Sequence, residues 1–178
     1  NIRELSNSNE NYKIIEYVDS IYEGYEIKSL KQYSNNKLVN VIVSRYAQLC
    51  NDNNINLAVD IRNIDFSFIT DSDLTALLDN LLENAFEAAK SSEKKQIELY
   101  IDNRNEKYIL FDIINSSDTE PKTIGGFYIS TKKNKNPHGI GLKSISRIVK
   151  RYSGNLDCNY NNSKKIFQTS ILLKTTSE

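Results

Sequence analysis

Apolar residues recur along this 178-residue chain in two rhythms, and the switches between them set out its elements. From Tyr12 to Tyr25, Ile14, Val18, Ile21 and Tyr25 follow a four-three-four spacing, with Ile15 and Tyr22 beside them. That is the seam of an amphipathic helix packed on another helix, from another segment or another chain. Gly24 weakens its end. Ser34 to Lys37 reads as a break and a helix start. Leu38, Val39, Val41, Ile42, Tyr46 and Leu49 then predict a helix over Leu38–Leu49 with one core face, ended by the Asn-Asp-Asn-Asn run from Asn51. Ile55, Leu57, Val59 and Ile61 alternate, which predicts a strand with one buried face. Asp71 or Ser72 is expected to cap a long helix over Asp73–Lys90. Its apolar side carries Leu74, Leu77, Leu78, Leu81, Leu82, Ala85, Ala88 and Ala89.

Further along, Ile97, Leu99 and Ile101 alternate within Gln96–Asp102. Lys107–Ile114 is more continuously apolar, as in a central strand. The short Asn105-Glu106 link between the two predicts a hairpin. Asn115–Pro137 has no periodicity and holds both prolines, and a loop of that length in a compact domain is usually functional or disordered. A helix follows to Tyr152, with Leu142, Ile145, Ile148 and Val149 as its core face and Gly154 at its end. Leu156–Tyr160 and Ile166–Leu173 predict a second hairpin. The order implies an α+β fold, a two-layer α/β sandwich with helices on one face of a mixed, mostly antiparallel sheet and the other face partly solvated.

Composition narrows the function. Twenty-three basic and 23 acidic residues balance, which argues against a domain built to bind nucleic acid or an anionic membrane. Cys50 and Cys158 lack a CxxC spacing and are read as small hydrophobes in a reducing cytosol. No apolar run approaches the length of a membrane span. Met is absent even at position 1, so the chain is read as a piece of a longer one. The single histidine, His138, excludes any site that needs two.

Two stretches carry candidate chemistry. Asn80, Asn84 and Glu87 recur at four- and three-residue spacing, so they share one helix face beside the leucines. Amides there need partners. His138-Gly139-Ile140-Gly141-Leu142 opens a helix directly, and such a turn points backbone N–H groups and a positive helix end at an anion. By itself that turn is a weak signal. With both stretches in this order, the sequence resembles the GHKL ATP-binding fold of histidine kinases, gyrase, Hsp90 and the MutL repair proteins. Asn80–Ala89 (NLLENAFEAA) looks like its N box and HGIGL like its second glycine box. Gly126–Ile145 (GFYISTKKNKNPHGIGLKSI) and ENAFEAA are similar to the AgrC/VirS-type peptide-sensing kinases of quorum sensing. The likeness runs from Tyr12 onward.

The resemblance implies roles and two cofactors, ATP and Mg²⁺. Asn84 would coordinate Mg²⁺ through its amide oxygen, which suits a hard cation. Asn80 would sit near the phosphates, and Glu87 would orient the ion's waters. The turn His138, Gly139, Ile140, Gly141 and Leu142 would meet the phosphates, Gly139 and Gly141 through their N–H groups. Thr131 and Lys132 lie in the loop that would close over ATP, and Lys132 would add charge at the phosphates. Thr169 would offer a hydroxyl near adenine. Each has a plainer alternative: Glu87 as a solvated residue, Lys132 as a surface lysine, Thr169 as an ordinary strand residue. Most of the family carries an Asp-x-Gly box whose Asp accepts the adenine amino group. Here Asn115 stands in its place without the Gly, which predicts weaker binding.

The gyrase and MutL members have a Glu one turn before the metal-binding Asn, as base for water. Here that position is Asn80, and an amide cannot take a proton, which favours phosphoryl transfer to histidine over hydrolysis. By the same resemblance, residues 1–33 form the end of a dimerisation helical region with its linker, and 34–178 the catalytic domain. The acceptor histidine lies upstream. The whole would be a homodimer beneath a membrane sensor, its catalytic part cytoplasmic, passing phosphate to a response regulator. Two rivals remain: a gyrase- or MutL-like ATPase, and a degenerate module serving as a dimeric signalling scaffold.

Overall fold

The computed structural model describes residues 31–105, 107–121, 123–124, 127–128 and 140–175. The helix expected over Tyr12–Tyr25 lies outside these residues, as do Thr131, Lys132, His138 and Gly139. Gln32–Glu178 form one compact unit.

Helix α1 spans Lys37–Asp52, and its cap is Asn36, whose Oδ1 accepts from the Val39 N–H at 3.1 Å. Val39, Ile42, Val43, Tyr46 and Cys50 form its buried stripe, at helical spacing. Asn54, at φ 57°, turns the chain into strand β1, Asn56–Ile61. Helix α2 spans Asp71–Lys90. Its cap is Thr70 rather than the expected Asp71 or Ser72. Thr70 has the extended backbone a cap needs, and its Oγ1 accepts from the Asp73 N–H at 3.2 Å. Asp71 and Asp73 sit in the first turn, where negative charge meets the positive helix end. Phe86 joins the buried side of α2, whereas Ala88 is only half-buried.

Strands β2 (Gln96–Arg104) and β3 (Tyr108–Ser116) pair as the expected hairpin, with Asn105 at φ 58° in its turn. The stretch read as aperiodic contains a small antiparallel ribbon, β4 (Thr123–Ile124) with β5 (Phe127–Tyr128). Two-residue strands are too short to show a period. Helix α3 spans Ile140–Arg151. The residue with positive φ after it is Ser153 (45°), and Gly154, expected at the helix end, donates its N–H to the Val149 carbonyl at 2.8 Å. Gly154 also matters for closeness: a Cβ there would run into the Leu172 carbonyl and the Leu173 side chain. Strands β6 (Asn155–Asn161) and β7 (Ile166–Lys174) close the described chain as a hairpin.

The sheet runs β1-β2-β3-β7-β6. Only β1 with β2 is parallel, so the mixed, mostly antiparallel sheet and the helical layer expected from the sequence are both present. β3 is central, as expected, but its burial alternates. Ile109, Phe111 and Ile113 face the core with Ile97, Leu99, Ile101, Ile171 and Leu173. Asp112 points the other way and accepts from Gln168 Nε2 (3.0 Å) and Ser170 Oγ (2.5 Å).

Candidate functional site

Helices α2 and α3 run in opposite directions, because polar contacts fix one end of the pair. Asp73, in the first turn of α2, accepts from Arg151 Nη1 at 2.6 and 2.7 Å and from the Tyr152 hydroxyl at 2.8 Å. Tyr152 in turn accepts from the Thr70 N–H at 3.1 Å. Burial pushes the Asp73 carboxyl up, but the Arg151 and Tyr152 hydrogen bonds and the Arg151 charge outweigh it and hold it below the usual carboxylate range. With the end of α3 tied there, its beginning falls beside the middle of α2. A Cβ on Gly141 would lie 3.1 Å from Asn80 Oδ1 and 3.4 and 3.5 Å from the two amide atoms of Asn84. Gly141 and the two asparagines therefore touch, and a side chain there would press on both amides.

The two amides differ. Asn80 Nδ2 donates to the Ala76 carbonyl at 2.5 Å, which turns its Oδ1 toward Gly141. Asn84 makes no side-chain hydrogen bond among the described residues and is half-buried. An uncommitted amide oxygen in that position fits a hard divalent cation that draws its other ligands from water and phosphate. No group of three or more His, Cys, Asp or Glu side chains able to hold a metal exists among the described residues. Glu87 is exposed one turn on, and Leu142 packs against the core. Ile140 opens α3.

Behind the helix pair, the sheet contributes two polar groups. Asn115 pairs across the ladder with Phe167, and Thr169 is two residues further along β7. Both lie on the helix-facing side, buried, as diagonal neighbours. Asn115 Nδ2 donates to the Ser116 carbonyl at 3.0 Å, so its oxygen is the end left to accept. Thr169 Oγ1 accepts from Cys158 Sγ at 3.9 Å, and burial raises the pKa of that thiol. Burial likewise pushes Cys50 up to about 11, so it behaves as a small hydrophobe. Asn80, Asn84 and Gly141 thus meet at the α2–α3 contact, while Asn115 and Thr169 share a patch on the inner face of the sheet.

Residues 69–174, well over half of the chain, match the family described as the GHKL domain. The chain belongs to that family. Among solved structures it is similar to a mycobacterial sensor histidine kinase, MprB, with a TM-score of 0.61 and 16% identity over 78% of this chain and 93% of that one. The catalytic domain of histidine kinase ThkA gives a TM-score of 0.60 and 17% identity over 80% of this chain and 94% of that one. The Acinetobacter baumannii histidine kinase AdeS gives 0.57 and 12%, over 79% and 64%. At these identities the likeness is one of fold: the GHKL fold as histidine kinase catalytic domains build it. A search of curated proteins gave no match.

Sequence reasoning passed over four residues beside the α2–α3 contact. Arg45 Nη2 donates to Asp79 Oδ1 at 2.8 Å. The Tyr46 hydroxyl lies 3.2 Å from the Asp79 carbonyl and 3.3 Å from Glu83 Oε2. Burial, then the Asp79 charge, raises the Tyr46 pKa, and burial raises that of Asp79 despite Arg45. The available signal was the four-residue spacing of Asp79 and Glu83, each one step before an N-box asparagine. An open groove of about 520 Å³ lies at the start of α2, lined by Asn35, Asn36, Phe66, Ser67, Thr70 and Asp71 among others. It contains none of the site residues.

Proposed function

We propose that this chain is the ATP-binding catalytic domain of a sensor histidine kinase of the AgrC/VirS type, which moves the γ-phosphoryl group of ATP to a histidine on a dimerisation helix. The observation that carries the reading is Gly141 seated against Asn80 and Asn84. It joins a helix N-terminus, able to hold phosphate by its N–H groups, to an amide oxygen able to hold a metal. Asn84 Oδ1 would hold Mg²⁺, which when bound neutralises charge on the phosphates. Asn115 Oδ1 accepts the adenine amino group without the charge assistance of an Asp, and Thr169 adds a hydroxyl beside it. Thr131, Lys132, His138 and Gly139 belong to the same reading through the family resemblance.

Transfer is favoured over hydrolysis on chemical grounds. Asn80 cannot take a proton from water, and its Nδ2 is committed to Ala76. The neighbouring carboxylates, Asp79 and Glu83, are engaged by Arg45 and Tyr46 of α1. Catalysis is then positioning and charge neutralisation around the γ-phosphate. The wider setting follows from the same resemblance: a homodimer through upstream helices, on the cytoplasmic side beneath a peptide-sensing membrane domain, serving a response regulator.

The test is a calorimetric titration of Mg²⁺-ATP into this chain and into Asn84→Ala. The unmutated chain binds, and the substitution weakens binding about ten-fold or more. Absence of binding in the unmutated chain, or equal binding in both, overturns the nucleotide site. A chain extended through the upstream helix, given ATP, accumulates acid-labile phosphate on histidine. Steady phosphate release instead would favour a gyrase-like ATPase.

A further inference from the structure

We infer that Arg45 and Tyr46 of α1 are positioning residues for the nucleotide site, and that they set the rotation of α2 that presents Asn80 and Asn84 to the glycine turn. The inference rests on the nucleotide-binding reading above. Successive residues of a helix are turned by about 100° around its axis. Asp79 and Glu83 therefore form a stripe next to the stripe of Asn80 and Asn84, offset by one residue. α1 grips the first stripe, and Gly141 lies on the second.

Apolar packing selects which face of α2 is buried, and the polar contacts refine the rotation within that face. The seam of α2 is made mostly of Leu and Ala, and hydrophobic attraction has no preferred direction. Hydrogen bonds do have one. The Tyr46 hydroxyl lies within hydrogen-bond distance of both the Asp79 carbonyl and the Glu83 carboxylate, so it engages one residue from each of two successive turns. Arg45 holds the Asp79 side chain, and its guanidinium lies 4.8 Å from the centre of the Tyr46 ring, so the two grips brace each other. Tyr46 is buried, and both contacts join positions more than 30 residues apart in sequence. Arg45 also places a positive charge beside Asp79, next to the site proposed for an anionic ligand.

The experiment compares ATP affinity with and without Mg²⁺, by calorimetry, for the unmutated chain, Tyr46→Phe, Arg45→Gln and Tyr100→Phe. Tyr100 serves as the control because its hydroxyl bonds Asp102 on the face of β2 turned away from the helices. In Tyr46→Phe the expected result is about five-fold weaker Mg²⁺-ATP binding and a smaller gain in affinity from Mg²⁺, since the metal-holding amide is displaced. Arg45→Gln shifts both in the same direction. It serves alone if Tyr46→Phe does not fold, because the Arg45 side chain is 37% exposed. Tyr100→Phe leaves both affinities unchanged. If Tyr46→Phe and Arg45→Gln keep the unmutated affinity and Mg²⁺ gain, α1 is only a packing partner and the inference fails. If the unmutated chain binds no ATP, the nucleotide-binding reading fails instead, so the two failures are distinct.

Discussion

At one end of the α2–α3 pair, Asp73, Arg151, Tyr152 and Thr70 satisfy one another. At the other, Asn84 and the turn at Gly141 face each other with the Asn84 amide uncommitted. About eleven residues of one helix separate them, on the order of 16 Å. The difference teaches how a single helix divides its work. The closed end joins the helices and fixes where the beginning of α3 falls. The open end leaves polar atoms without partners, an arrangement that makes sense where a ligand completes them.

The largest effect is expected from filling the open end. In Gly141→Val the new side chain presses on both amides, because its Cβ alone would lie 3.1 Å from Asn80 Oδ1 and its two methyl groups reach further. The helix ends must part or the amides must turn away. Mg²⁺-ATP affinity should fall by about 100-fold, with a comparatively small change in Tm. Normal binding by this variant would show that the contact between α3 and the asparagines is not where phosphate sits. Asn84→Ala is expected to do less, since it removes one ligand and leaves the turn in place.

The closed end should respond the opposite way. Asp73→Asn removes the charge that meets Arg151, and stability should drop by about 2 kcal/mol at neutral pH, read from urea unfolding. ATP affinity at temperatures well below Tm should move far less. The pH dependence has a definite sign. The Asp73 pKa is depressed in the folded state, so its contribution is fully present above the ordinary value of 3.8 and is lost as pH falls through the lower folded value. The stability gap between the unmutated chain and Asp73→Asn should therefore close below about pH 4. A gap that stays constant down to pH 2 would mean the carboxylate charge is not what joins the helices.

The two ends were not equally legible in the sequence. The open end was readable because its residues are chemically odd for their places: amides beside a leucine seam, and two glycines opening a helix. The closed end was hidden because Asp73 and Arg151 look like ordinary surface charges until the fold brings together positions 78 residues apart. The same holds for Arg45 and Asp79, 34 residues apart. Local ambiguity hid the cap of α2, since Thr70, Asp71 and Ser72 can all accept from a helix N-terminus and only the backbone angle at Thr70 decides. Strands β1 and β2 were legible because apolar positions alternate along them, and β3 because its apolar run is nearly continuous. The β4–β5 ribbon was not. Asn115 was readable only through its family resemblance, because nothing in IINSS marks an amide that reaches the inner face of the sheet.

The smallest effect sharpens the comparison most. Tyr152→Phe removes one hydroxyl that donates to Asp73 and accepts from the Thr70 N–H, and it leaves the Arg151 pair in place. The ring keeps its edge-on contact with Phe68, 6.0 Å between centroids, so packing is little changed. The expected cost is about 1 kcal/mol of stability. Double-mutant analysis with Asp73→Asn should give less than the sum of the two single effects, because both substitutions break the same bond. Additive effects would separate the hydroxyl from the carboxylate and leave Arg151 alone to hold α3 in register. Coupled effects would make Asp73, Arg151 and Tyr152 one unit, whose rigidity lets the opposite end present the uncommitted Asn84 amide without the helices closing over it.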